Sequence, residues 1–247
     1  MNWRHIALGW GLGLLYTCTL QAAPLQIALG ESKMPYVDAA TQSGIEYELV
    51  TRALRDAGYA FEVQYFPNKR AQIQFAQGRL DATIVTAGAI VSDPYIAYQN
   101  MAITLCERRI TVSQVSDLAN YQTGAFHNAS KFLGNDFARI AANPERYREA
   151  SPQILLNYML LAQRIDVAIS DINIFQHAQL EADPQARKPL CSYALFPPTL
   201  YRLQFRDPLV RDRFNLALAH LRSSGFYGAL ARKYKLPLDR NSPYFKP

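Results

Sequence analysis

The residues of this chain that could do chemistry are carboxylates, amides, hydroxyls and one arginine, placed mainly where strands run out. Asp171 closes the apolar run that begins at Val167. A carboxylate at the carboxyl end of a buried strand can pair with a ligand ammonium or cap the helix that follows. Arg70 lies early in a helix and offers either a bidentate clamp for a carboxylate or a solvated helix face. Thr86 ends another apolar strand, while Glu31 and Tyr36 follow the first strand as rim and stacking residues, Tyr36 equally as a packed aromatic. Asn128 and Ser130 stand at a helix start, where backbone N–H groups favour an anion or need only a cap, and Gln153 is of the same kind. His5, His127, His177 and His220 are scattered, and there is no HExxH, CxxC, phosphate loop or Gly-x-Ser-x-Gly. These residue types suit holding a small polar molecule, with no catalytic residue, metal or cofactor expected.

Two helix-then-strand units must position them. Phe66 to Thr86 reads as a helix entered through Pro67, then Gly78-Arg79-Leu80-Asp81 and a strand from Ala82 to Thr86. Ser151 to Asp171 echoes it, with a helix after Pro152, then Arg164-Ile165-Asp166 and a strand from Val167 to Asp171. Both copies share R-[LI]-D-x-x-I ahead of a polar strand end, which predicts two α/β lobes of similar construction with a ligand cleft between them.

With 247 residues, 49% hydrophobic and 19% charged, the chain can bury a sizeable core. Its formal charge of +6 is spread without a long basic run, which argues against nucleic-acid binding. Arg4 and His5, the apolar stretch Ile6 to Leu20 and Gln21-Ala22-Ala23 read as a signal peptide with cleavage after Ala22, hence a periplasmic protein. Leu15-Tyr16-Thr17 is a poor lead into a lipidated Cys18. Processing leaves Cys106 and Cys191, an even number in an oxidising compartment, and a disulfide is expected. Closing a loop of about 85 residues would stabilise the fold by roughly 4 kcal/mol. Processing also removes Trp3 and Trp10.

In chain order, strands are expected at Leu25–Leu29, Phe61–Tyr65 and Arg109–Val112, with a helix from Gly44 to Gly58. A lobe crossing is expected near Ala102 to Cys106, and Ser130 is expected to cap a helix starting at Lys131. Tyr201–Phe205 is the expected return to the first lobe, followed by closing helices over 211–221 and 225–234.

The order of Met34-Pro35-Tyr36, Gly44-x-Glu46-x-Glu48-Leu49-Val50, Pro67-x-x-Arg70, Gly78-Arg79-Leu80-Asp81, Asp93-Pro94-Tyr95, Arg164-Ile165-Asp166 with Asp171, and Phe214-Asn215-x-Ala217 with Gly225 and Lys233-Tyr234 resembles the bacterial extracellular solute-binding proteins of family 3. These are the amino-acid-type binding proteins of ABC importers. The resemblance spans the mature chain and implies a two-lobe type II periplasmic-binding-protein fold, each lobe a mixed, mainly parallel sheet flanked by helices, with two crossing strands as hinge. With the signal peptide over 1–22, a first lobe is expected from 23–103 with 195–247, and a second lobe from 104–194. A monomer is expected, with a small-molecule ligand and an ABC permease of the inner membrane as partners. The resemblance places a ligand-binding aspartate at Asp171, and the expected ligand set is Glu31, Tyr36, Arg70, Thr86, Asn128, Ser130, Gln153 and Asp171. The chain departs from the family at Ala87 to Val91, where amino-acid binders carry an arginine that clamps the ligand carboxylate. A different anionic or polar metabolite, or a clamp through Arg70, therefore stays open. Two other functions remain: a periplasmic dehydratase on the same fold with Glu31 or Asp171 as general acid, and a ligand-presenting partner of a membrane sensor.

Overall fold

The computed structural model describes residues 23–185, 187–236 and 244–247. The expected signal peptide, its cleavage site, Cys18, Trp3, Trp10 and His5 lie outside the described residues. Apolar β-formers start the chain as β1 (Leu25–Leu29), and α1 (Ile45–Asp56) follows with Glu46 and Glu48 in its first turn, where acidic groups complement the helix dipole. Gly44 precedes α1 at φ 111°, and a Cβ there would lie 2.3 Å from the Tyr36 carbonyl oxygen, so the turn admits no larger residue. Next come β2 (Phe61–Tyr65), α2 (Asn68–Ala76), β3 (Ala82–Val85) and β4 (Ile96–Tyr98).

The chain then changes sheet at Gln99, because β5 (Asn100–Leu105) pairs along its length inside the second sheet. That is a few residues earlier than the crossing expected near Ala102 to Cys106. Apolar residues fill β5 either way, so composition alone does not mark the boundary. The second sheet is completed by β6 (Thr123–Phe126), the one-turn α3 (Ala129–Phe132), α4 (Asn135–Ala141), β7 (Tyr147–Ala150), α5 (Ile154–Leu161), β8 (Val167–Asp171), α6 (Ile172–Ala182) and β9 (Leu190–Tyr193). Strand β10 (Thr199–Phe205) returns to the first sheet and leads to α7 (Pro208–Ser223) and α8 (Phe226–Lys233).

Both sheets have the same plan. The orders are β2-β1-β3-β10-β4 and β7-β6-β8-β5-β9, each with three parallel strands followed by an antiparallel partner. The sequence echo has a mechanical meaning here. Asp81 donates its N–H to the Gln26 carbonyl and accepts the Gln26 N–H on Oδ2, both at 2.7 Å. Asp166 does the same to Gln122, at 2.7 and 3.0 Å. Each aspartate thus ties the start of its own strand to the start of the central one of the three parallel strands.

The first core gathers Ile27, Leu49, Leu54, Phe205, Phe214 and Leu218, and takes in Ile174 from α6 of the other half. The second sheet is covered on one face by Leu156, Leu160, Ile165 and Phe175 and on the other by Phe137, Ile169 and Phe196. A disulfide joins Cys106 to Cys191, linking the end of β5 to β9.

Two local expectations fail. Arg109–Val112 forms no strand: a 3-10 turn at Cys106–Arg108 puts Arg109 at φ 50°, and Ile110 and Val112 are buried without a ladder partner. Ser130 caps nothing, because α3 begins at Ala129 with Asn128 as its left-handed N-cap, and the Ser130 hydroxyl bonds Glu149 instead. Among the described residues no helix is long and apolar enough to cross a membrane.

Candidate functional site

In each sheet the chain leaves the central strand for one side and then crosses to the other, so switch points lie between the carboxyl ends of β1 and β3 and of β6 and β8. The first pair of ends carries Gly30 to Tyr36 and Thr86 to Ala89. The second carries His127 to Ser130 and Asp171 to Asn173.

The two edges touch through Tyr36 and Asp171. The Tyr36 hydroxyl donates to both Asp171 oxygens, at 3.0 and 3.1 Å, and accepts from the Asn173 amide at 3.0 Å. Asp171 also accepts the N–H groups of Asn173 and Ile174, which it caps, and that of Gln99 at the sheet crossing. Burial pushes the Asp171 carboxyl up to about 6 against the pull of the Ile174 and Gln99 N–H groups and the Tyr36 hydroxyl. Burial and the Asp171 charge raise the Tyr36 phenol well above its ordinary range.

Aromatic rings extend this contact into the first lobe. Tyr36 stacks on Tyr98 with centroids 4.0 Å apart and planes 13° off parallel, and Tyr201 tilts against Tyr98 at 4.9 Å. Behind them the buried Glu46 carboxylate accepts from Tyr95 at 2.5 Å and Tyr98 at 2.8 Å. A buried carboxylate is tolerated only with such donors. Lys33 Nζ stands over the Tyr98 ring, 4.6 Å from its centroid.

Of the expected ligand residues, Tyr36 and Asp171 are in direct contact, Gln153 bonds Ser170 next to Asp171, and Asn128 and Ser130 share a partner in Glu149. Asp171 is saturated by protein donors in this arrangement, so it serves as helix cap and as the contact between lobes. That leaves neither an ammonium acceptor nor a general acid free at this position. Asn128 and Ser130 aim their N–H groups at Glu149, which fills the anion position they would offer a ligand. Burial opposes the Glu149 charge, but the Asn128 and Ser130 N–H groups and the Tyr147 and Ser130 hydroxyls outweigh it and hold its pKa below the usual range.

Arg70 is exposed with its guanidinium over the Phe66 ring at 5.2 Å, and is not a clamp at the lobe contact. Gln153 accepts from the Ser170 hydroxyl at 3.2 Å. Thr86 falls one residue beyond β3 and is exposed, as is Glu31. A cavity of about 550 Å³ opens where the loop after β1 meets α5 and α6, lined by Met34, Pro152, Ile154, Ile174 and Leu180 with His177 and Glu181 among the polar groups. Sequence reasoning missed Lys33, Glu46, Gln99 and Glu149. Only Lys33 carried a usable signal, as the one cation between the first strand and the first helix.

Among solved structures, the chain aligns with the GluR0 ligand-binding core from Nostoc punctiforme in complex with L-glutamate, at TM-score 0.60 and 17% identity over 87% of this chain and 100% of that one. The arginine-, lysine- and histidine-binding protein ArtJ from Geobacillus stearothermophilus aligns at TM-score 0.58 and 13% identity, over 86% of this chain and 95% of that one. The fold is that of the periplasmic binding proteins. A histidine kinase sensor domain with similarity to periplasmic binding proteins shares it, at TM-score 0.62 and 14% identity over 91% of this chain and 98% of that one. No family model matches the chain, and no curated protein matches it in sequence.

Proposed function

We propose that this protein is a periplasmic solute-binding protein that captures a small polar metabolite, amino-acid-like or an organic anion, between its two lobes without transforming it. The observation that carries the reading is the meeting of two like-built sheets at their carboxyl ends, where the Tyr36 hydroxyl and the Asp171 carboxylate span the gap. Lobes so joined can part and close on a ligand. The neighbours named for binding glutamate or basic amino acids support such a role. We place the lobe crossings at Gln99 and between β9 and β10, and assign Glu31 and Thr86, exposed on the first lobe's edge, to ligand contact together with Gln153 on the second. Delivery to an ABC permease by the monomeric protein completes the reading. A sensor role is the second reading, favoured by the histidine kinase sensor domain that shares the fold.

A thermal-shift screen of amino acids, oligopeptides, polyamines and organic acids tests binding, since a ligand at 100 times its dissociation constant stabilises the native state by about 2.7 kcal/mol. The bound compound should be recovered unchanged by mass. A screen in which no compound raises the melting temperature, or one in which the hit is converted, sinks the proposal.

A further inference from the structure

Lys33 is the cation that the lobe contact leaves unanswered. Its ammonium lies over Tyr98 but over no other ring near the site, whereas Tyr36 lies flat on Tyr98. The Tyr98 ring is thus shared by the Lys33 ammonium and by Tyr36, whose hydroxyl reaches the Asp171 carboxylate. None of the ion pairs among the described residues includes Lys33, although Lys188 and Lys233 each find a glutamate. Glu31, two residues away, is exposed and unpaired with it.

Half-burial makes this costly. An ammonium partly withdrawn from water and compensated by one ring gives up hydration that a single cation–π contact of about 0.5–2 kcal/mol only partly returns. The Tyr98 hydroxyl donates to the buried Glu46 carboxylate, which makes the ring beside Lys33 more electron-rich. Its position is the one a ligand would meet. A Cβ placed on Gly30, at the end of β1, would lie 3.9 Å from Lys33 Nζ and 3.4 Å from Asn68 Oδ1 at the start of α2. The ammonium thus stands at the carboxyl edge of the first sheet.

We propose that Lys33 receives a carboxylate of the ligand. With Asp171 committed to the lobe contact, the cleft takes an organic anion for which an α-ammonium group is not required. This rests on the solute-binding reading and narrows its ligand class. It also supplies the cation that the loop Ala87 to Val91 lacks.

The test is calorimetric titration of the full mature protein with succinate, benzoate and L-glutamate, against succinamide and benzamide as neutral counterparts and putrescine as a cation. At least one carboxylate should bind at least tenfold more tightly than its amide, with an affinity that falls as salt is added. Lys33→Met should weaken that carboxylate tenfold or more while leaving the amide unchanged, and Lys33→Arg should restore most of the loss. Melting curves of both variants establish that they fold. Equal carboxylate affinity in Lys33→Met and wild type overturns the inference, as does preference for putrescine or absence of binding by every carboxylate. The solute-binding reading falls separately, if the wider screen also yields no ligand or its hit is converted.

Discussion

The two five-stranded sheets are alike up to the points where their parallel strands run out, and differ beyond them. Leu80 and Ile165 occupy corresponding places, each buried ahead of an aspartate that ties a crossing strand to the central one. Past the strands, the first lobe ends β3 in exposed residues from Thr86 to Ala89 and keeps Lys33 without a carboxylate. The second ends β8 in Asp171, buried and fully hydrogen-bonded, and fills its other helix-start position with Glu149. Strand placement is a packing problem with one good solution, used twice. The strand ends are free of that constraint, so there the lobes diverge in charge: the first offers a cation, and the second has already satisfied its anions.

The disulfide belongs to the second lobe alone, so reduction offers the largest break in the symmetry. Reducing Cys106–Cys191, or replacing both cysteines by serine, should cost about 4 kcal/mol of unfolding free energy. Amide exchange should rise in β5, β8 and β9 before it rises in β1 to β3, and uniform loosening of both sheets would refute this assignment of the bond's effect.

Acidity should act through the lobe contact. The native Asp171 pKa of about 6 lies above its ordinary 3.8, so the native state holds a proton that the unfolded chain has released over that interval. Its contribution to stability is complete below about pH 3.8 and lost as the pH rises through about 6. The stability of wild type relative to Asp171→Asn should therefore increase on acidification from pH 7.5 to 4 by about 2.4 kcal/mol. A pH-independent difference in denaturant midpoints would remove Asp171 from the list of groups that titrate on folding.

Asp81→Ala and Asp166→Ala probe the shared device. Each should lose about 2 kcal/mol, because each strands the N–H of a strand-initiating glutamine. Unequal losses differing by more than about 1.5 kcal/mol would show that the echo is only formal.

The smallest effect contrasts paired positions in the central strands. Ala28 pairs with Thr83 as Gly124 pairs with Ala168, but a Cβ on Gly124 would come within 2.7 Å of Ile165 Cδ1. Gly124→Ala should cost about 1 to 2 kcal/mol by crowding, unless Ile165 finds another rotamer. A gain in melting temperature would show that it does.

Local pattern made much of this architecture legible. Alternating and continuous apolar runs located strands within a residue or two, as at Leu25–Leu29 and Val167–Asp171, because burial of a face leaves a period in the sequence. The repeated R-[LI]-D string marked two like units, since the same strand-tying hydrogen bonds demand the same aspartate. The cysteines paired as their number and expected compartment implied. The stretch around Arg109 misled, because its alternation buries Ile110 and Val112 in a turn without a ladder.

The site was less legible, and for a physical reason. A polar side chain at a strand end looks the same in sequence whether it faces a ligand or a protein donor. Asp171 meets Tyr36 across 135 residues of chain, Glu149 reaches the N–H groups of Asn128 and Ser130 about twenty residues back, and Glu46 is satisfied by tyrosines some fifty residues away. Short-range periodicity, driven by apolar burial, fixed the elements and their order before any tertiary contact was known. Which charges are answered depends on hydrogen bonds that close only when distant segments meet in the folded chain.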